Sequence, residues 1–163
     1  MISRGAPTPV ADADGVYAFF ESGDIFGLDH TGKIIWERRI AKEFGEFIGG
    51  HGVGTSLVRT PDHLILSIDH DGPSYIICLR KTTGETVWKT ERTSRVSWST
   101  PVYTNQSGTE QIIVSSNGSV DSYDPTPGKQ RWTVSGIKGN TVASPSVAAD
   151  LVVIGSSNPG ERS

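Results

Sequence analysis

The run Asp69-His70-Asp71-Gly72 sets two carboxylates on alternate residues with an imidazole between them. Alternate carboxylates ahead of a glycine can wrap a hard cation such as calcium in oxygen ligands. The full D-x-D-x-D-G pattern with a distant glutamate is absent, so the run is weakly specific for calcium. The ordinary reading is an Asp-rich hairpin turn, whose side chains bond nearby backbone amides. His51 stands among glycines in "IGGHGVG", the setting of a solvated loop residue. The one cysteine, Cys78, lies in the apolar run Tyr75–Leu79; it has no partner for an intrachain disulfide and is too dry for a thiolate nucleophile. No Ser-His-Asp order, C-x-x-C pair or phosphate loop occurs, and Lys42-Glu43 and Glu91-Arg92 read as solvated charges. No catalytic, cofactor-binding or metal-binding residue is assigned.

The chain of 163 residues is long enough for one domain with a sizeable core. Its 19 glycines and nine prolines point to many turns and little helix. A net charge of -3 provides no general field for nucleic acid or an anionic membrane. No segment approaches the roughly 20 apolar residues of a membrane-spanning helix. Met1–Pro7 has no apolar stretch, so no signal peptide is expected there.

The elements that would position these side chains come from a repeat. "TGKIIW" (31–36) returns as "TGETVW" (83–88) and "PGKQRW" (127–132). Trp88 and Trp132 are 44 residues apart, as are Pro101 and Pro145, whereas Trp36 and Trp88 are 52 apart. Each module reads as four short strands, A to D. Strand B is apolar nearly throughout ("VYAFF", "LILSI", "IIV", "LVVI"), which suits a strand covered on both faces. Gly32, Gly84 and Gly128 open strand D, where a tight hairpin needs positive φ. Trp36, Trp88 and Trp132 follow four positions later; with a side-chain period of two, each should share a face with the residue two after its glycine and meet the same neighbour.

A four-stranded antiparallel unit of roughly 40–45 residues with a tryptophan signature fits a β-propeller blade. The fold class expected is all-β: a single partial propeller domain over 1–163, with blades at about 7–40, 55–92 and 99–136 and half a blade at 143–157. The TGxxxW hairpins after Leu28-Asp29 and Tyr123-Asp124, together with S/T-P-x-V strands, resemble the pyrroloquinoline-quinone-like (PQQ-like) repeat family of quinoprotein alcohol dehydrogenase-like and BamB-like propellers. Leu79-Arg80 departs from that strand ending. The resemblance implies a bacterial, periplasmic or exported setting. In the dehydrogenases of the family it implies an adjacent cysteine pair over PQQ and acidic residues around calcium. One cysteine and too few blades leave no cofactor expected here, with PQQ or calcium as the alternatives.

Up-and-down strand order sends the B–C and D–A connections to one face and the other turns to the opposite face. The first of these faces would hold a binding site built from His51, Asp69, His70, Asp71, Glu21 and Asn117. Propellers close with roughly four to eight blades, so three and a half leave apolar faces and edges open. Either further blades complete the ring or copies associate through those edges. The function expected is a non-catalytic scaffold that binds a protein or ligand, part of a larger propeller. The alternatives are an inactive fragment of a PQQ- and calcium-dependent alcohol dehydrogenase, or a calcium-stabilised module.

Overall fold

In the computed structural model, which describes residues 6–50, 52–106, 108–139 and 141–156, the chain pairs almost entirely with its own sequence neighbours. Strands β1 (Val10–Asp12), β2 (Gly15–Phe19), β3 (Asp24–Leu28) and β4 (Ile34–Arg39) form the first antiparallel sheet. Strands β5 (Val58–Arg59), β6 (His63–Ile68), β7 (Ser74–Arg80) and β8 (Thr86–Arg92) form the second. Strands β9 (Val102–Gln106), β10 (Thr109–Ser116), β11 (Gly118–Tyr123) and β12 (Gln130–Ile137) form the third. A hairpin of β13 (Ser146–Ala148) and β14 (Leu151–Val153) follows. This is an incomplete β-propeller: three blades and the first two strands of a fourth.

Burial follows position in the stack. In β7, a central strand of the middle blade, every residue except Arg80 is buried, because a blade lies on each of its faces. Strand β12, outermost in the third blade, is mostly exposed. The first blade junction is an apolar cluster that includes Phe19, Ile25, Trp36, Ile40, Ile68, Tyr75 and Ile77. The second joins Ile65, Ile76 and Cys78 to Ile112, Val114 and Tyr123. Cys78 owes its small size to this packing, for it pairs across the sheet with Trp88, as Gly27 does with Trp36 and Ser122 with Trp132.

The recurring glycines take the backbone the hairpins demand, with φ of 86° at Gly32, 72° at Gly84 and 67° at Gly128. Trp36 then donates its indole N–H to the carbonyl of Lys81 at 2.7 Å, and Trp88 does the same to Pro125 at 2.7 Å. Each ring lies directly against the next blade's hairpin glycine, Gly84 or Gly128. The residue two past each tryptophan adds a second tie, Arg38 donating to the Gly84 carbonyl and Thr90 to that of Gly128. Trp132 differs: half-buried, it donates to Gln111 of its own blade at 3.2 Å. No further C–D hairpin lies beyond it among the described residues to take the place of Lys81 or Pro125.

The S/T-P-x-V strands carry a matching ladder on the inner side. The hydroxyls of Ser56, Thr100 and Ser144 accept the backbone N–H of Thr8, Ser56 and Thr100, at 2.9, 3.0 and 3.0 Å. The first two blades are therefore latched to the next near both their inner and outer strands, and the third near its inner strand alone among the described residues.

One expectation is corrected. The tryptophan does not share a face with the residue two after the glycine. Leu28 pairs with Ile34 but Gly27 with Trp36, so Ile35 is an extra, bulged residue. Leu28 and Gly27 point to opposite faces, and hence so do Ile34 and Trp36. Ile34 is accordingly half exposed while Trp36 is buried. The same irregularity recurs at Cys78/Leu79 and Ser122/Tyr123. The first D–A connection opens with one helical turn, α1 (Ile40–Phe44). Ile40 and Phe44, four apart, face the core together; Phe44 packs edge-on against Tyr75 at 5.6 Å, and Arg38 pairs with Glu43.

Candidate functional site

The D–A connections and B–C turns gather on one face, as the strand order requires. There the chain after α1 folds back over the second blade. The Phe47 ring lies 5.4 Å from that of His70 and 6.4 Å from that of Phe19. The Nδ1 of His70 accepts two backbone N–H bonds, from Ile48 at 2.9 Å and Gly72 at 3.0 Å. Asp71 returns its own N–H to the Ile48 carbonyl at 3.1 Å. Nδ1 is thus an acceptor, and the imidazole braces the loop. His70, a candidate binding residue of this face, is buried and pins the loop.

Around this brace lies a depression of about 260 Å³, walled by Ile48, His70, Asp71, Val96, Trp98 and Asn117 and floored by loop glycines. Three of the residues expected from sequence, His70, Asp71 and Asn117, meet there. Glu21 does not; its carboxylate lies under Gly52, where a β-carbon could not fit. Its Oε2 is buried without a hydrogen-bond partner among the described residues. His51 lies outside the described residues.

Asp69 points away from the depression into the second blade junction. It receives Arg92 Nε at 3.0 Å and Nη2 at 3.2 Å, a two-pronged contact, and the hydroxyl of Ser116. Arg92 also donates to the Tyr123 hydroxyl at 2.6 Å and lies 3.3 Å from Asp121. Only 1% of the Arg92 side chain is exposed, which overturns its reading as a solvated charge. Burial alone would lower the guanidinium pKa, but Asp69, Tyr123 and Asp121 outweigh it and raise it. The signal was present in the repeat: Arg92 stands four residues after Trp88, where the first blade has Ile40 four after Trp36. A charge at a core position implies a buried counter-charge.

The pattern of the family described as "Outer membrane protein assembly factor BamB" matches residues 49–161. The chain belongs to this PQQ-like propeller family. Among solved structures this BamB-family chain is similar to BamB from Moraxella catarrhalis, at 19% identity and a TM-score of 0.64, over 88% of this chain and 43% of that one. It is also similar to a europium-containing methanol dehydrogenase, at 12% identity and a TM-score of 0.66, over 80% of this chain and 32% of that one. A third is the quinohemoprotein alcohol dehydrogenase from Comamonas testosteroni, at 13% identity and a TM-score of 0.67, over 86% and 29% of the two chains. At these identities the likeness is one of fold, and the chain spans less than half of each of these structures. No curated protein matches the sequence.

The residues present do not fit a quinone cofactor or its metal. Cys78 is the sole thiol, buried against Trp88, and desolvation pushes its pKa up to about 12. Among the described residues no three His, Cys, Asp or Glu side chains converge on a point where an ion could sit. Asp69 and Asp71 diverge, one into the blade junction and one onto the surface. Among those residues no helix is long and apolar enough to cross a membrane.

Proposed function

We propose that this BamB-family chain is a non-catalytic propeller segment that binds a protein through its loop face, as part of a larger PQQ-like propeller. The observation that carries this reading is the braced depression around His70. Ile48, 58% exposed, stands on its rim beside Trp98 and Asp71. An apolar side chain held rigidly beside an aromatic and a carboxylate is the usual anatomy of a protein contact, with little ordering entropy to lose on binding. The description of the family as an assembly factor supports a protein partner and a periplasmic or exported setting.

A photo-reactive residue at Ile48 should cross-link the full-length protein to another polypeptide, whereas one at Glu37, on an outer strand, should not. Equal labelling from both positions would remove the support for this face. The second reading, a blade segment of a quinoprotein dehydrogenase, draws on the likeness to the two alcohol dehydrogenases. Alcohol turnover above blank by the purified protein with added PQQ and calcium would favour it and overturn the first.

A further inference from the structure

The repeat supplies its own comparison. At the first blade junction Ile40 packs in one apolar cluster with Ile68, Tyr75 and Ile77. Strand pairing fixes the equivalent positions at the second junction: Ser116 for Ile68, Ser119 for Tyr75 and Asp121 for Ile77. Arg92 replaces Ile40. An apolar seat has become a guanidinium, two hydroxyls and a carboxylate. A buried ion pair seldom outperforms the hydrophobic packing it replaces. The first junction shows that this fold accepts the hydrophobic version, so the scaffold alone does not require the polar one.

The polar junction also stays open. A cavity of about 430 Å³ lies between the end of β8 and strands β11 and β12, within the range of small-ligand sites. Its walls include Arg95, Ser119, Asp121, Gln130, Thr133 and Ser135 and, among the described residues, no aliphatic side chain of Val, Leu or Ile. Charge balances there, Arg92 and Arg95 against Glu91 and Asp121. Asp121 is already well supplied: Ser119 at 2.9 Å, Arg95 at 3.3 Å, Thr133 at 2.6 Å and Gln130 at 3.4 Å all donate to it. Among the described residues Arg95 bonds through Nε and Nη1, leaving Nη2 for a guest. Hydroxyl oxygens and the Gln130 amide oxygen add acceptors.

A charged guest would find no net counter-charge in such walls, and an apolar one would strand polar groups. A guest with hydroxyls on every side would strand none. We propose that the cavity between β8 and β11–β12 binds a neutral sugar of one or two rings, held by Arg95, Gln130 and Thr133 over the buried Arg92–Asp121 pair. The cavity adjoins the loop-face depression, with Asn117 lining both, but its polar walls are its own and neither proposal depends on the other.

The test is a titration followed by amide nuclear magnetic resonance, with glucose, galactose, N-acetylglucosamine, maltose and cellobiose as probes. At least one should bind saturably in the millimolar range or tighter, moving resonances of residues 93–95, 117–121 and 130–135. The double variant Gln130→Leu/Thr133→Val should weaken that binding about ten-fold, because it removes two hydrogen-bonding groups; both also donate to the buried Asp121, so its amide spectrum should keep the folded pattern at a lowered thermal midpoint. Ile48→Asp should leave it unchanged, so failure of the loop-face reading shows separately. Absence of saturation by every probe, equal binding by the double variant, or preferential binding of acetate or a short peptide at these residues would overturn the proposal.

Discussion

Trp36 lies so close over Gly84 that a β-carbon on the glycine would sit 2.5 Å from the ring atom Cε3. One residue therefore serves two ends: it turns its own hairpin at positive φ and leaves room for the preceding blade's indole. Gly32 has the same backbone conformation but nothing within 4 Å of a built β-carbon. The pair separates conformational strain from lost docking.

Gly32→Ala should cost about 1–2 kcal/mol, the left-handed penalty alone. Gly84→Ala should cost about 3–5 kcal/mol, because the ring must also leave its seat and lose packing. Urea unfolding of the two variants checks the difference. Equal losses would mean that the indole contact contributes nothing.

Arg92→Met should destabilise by about 3–5 kcal/mol, since it strands the buried carboxylate of Asp69 and removes one of the two arginines beside Asp121. Converting the junction towards its neighbour, with Arg92→Ile, Asp69→Asn, Ser116→Ile and Asp121→Ile together, should recover most of that loss. A quadruple variant less stable than Arg92→Met would show that the polar cluster cannot be exchanged for the apolar one.

On the opposite face Lys81 reaches back to the first blade, with Nζ 2.7 Å from Asp12 and 2.8 Å from Asp14. The hydrogen bond from Lys81 lowers the Asp12 pKa against the opposing effect of burial. A carboxyl whose folded value is depressed stabilises the fold above its unfolded value of about 3.9, and that contribution disappears as pH falls through the folded value. Stability should therefore drop on acidification below about pH 5, and Asp12→Asn should flatten the profile in that window. Identical profiles from pH 7 to 2 would exclude the pair as a source of acid sensitivity.

With its pKa raised to about 12 by burial, Cys78 should resist iodoacetamide at pH 8 while the protein is folded. Its alkylation should track the unfolding transition in urea. Rapid labelling without denaturant would show that the Trp88 seat opens on its own.

The sequence by itself determined the blades. A repeat of G-x-x-x-W with β-rich runs between turns specifies hairpins whose partners are close in the chain, so periodicity and turn chemistry suffice. It also put the B–C and D–A connections on one face, because alternating strands leave no other arrangement. The bulge that turns Trp36 away from Ile34 was not legible, since one extra residue in a strand changes no local propensity. The helical turn at Ile40–Phe44 arises from packing against Tyr75, a residue more than thirty positions on.

The site was less legible than the scaffold for the same reason. Asp69, His70 and Asp71 are consecutive and look equivalent, yet the structure sends one to Arg92, one to the Ile48 amide and one to the surface. Which of three neighbouring polar groups meets water depends on the residues of other blades, and no sequence window contains them. Local rules set where the chain turns; contact between distant strands set which charges are buried and which face a cavity.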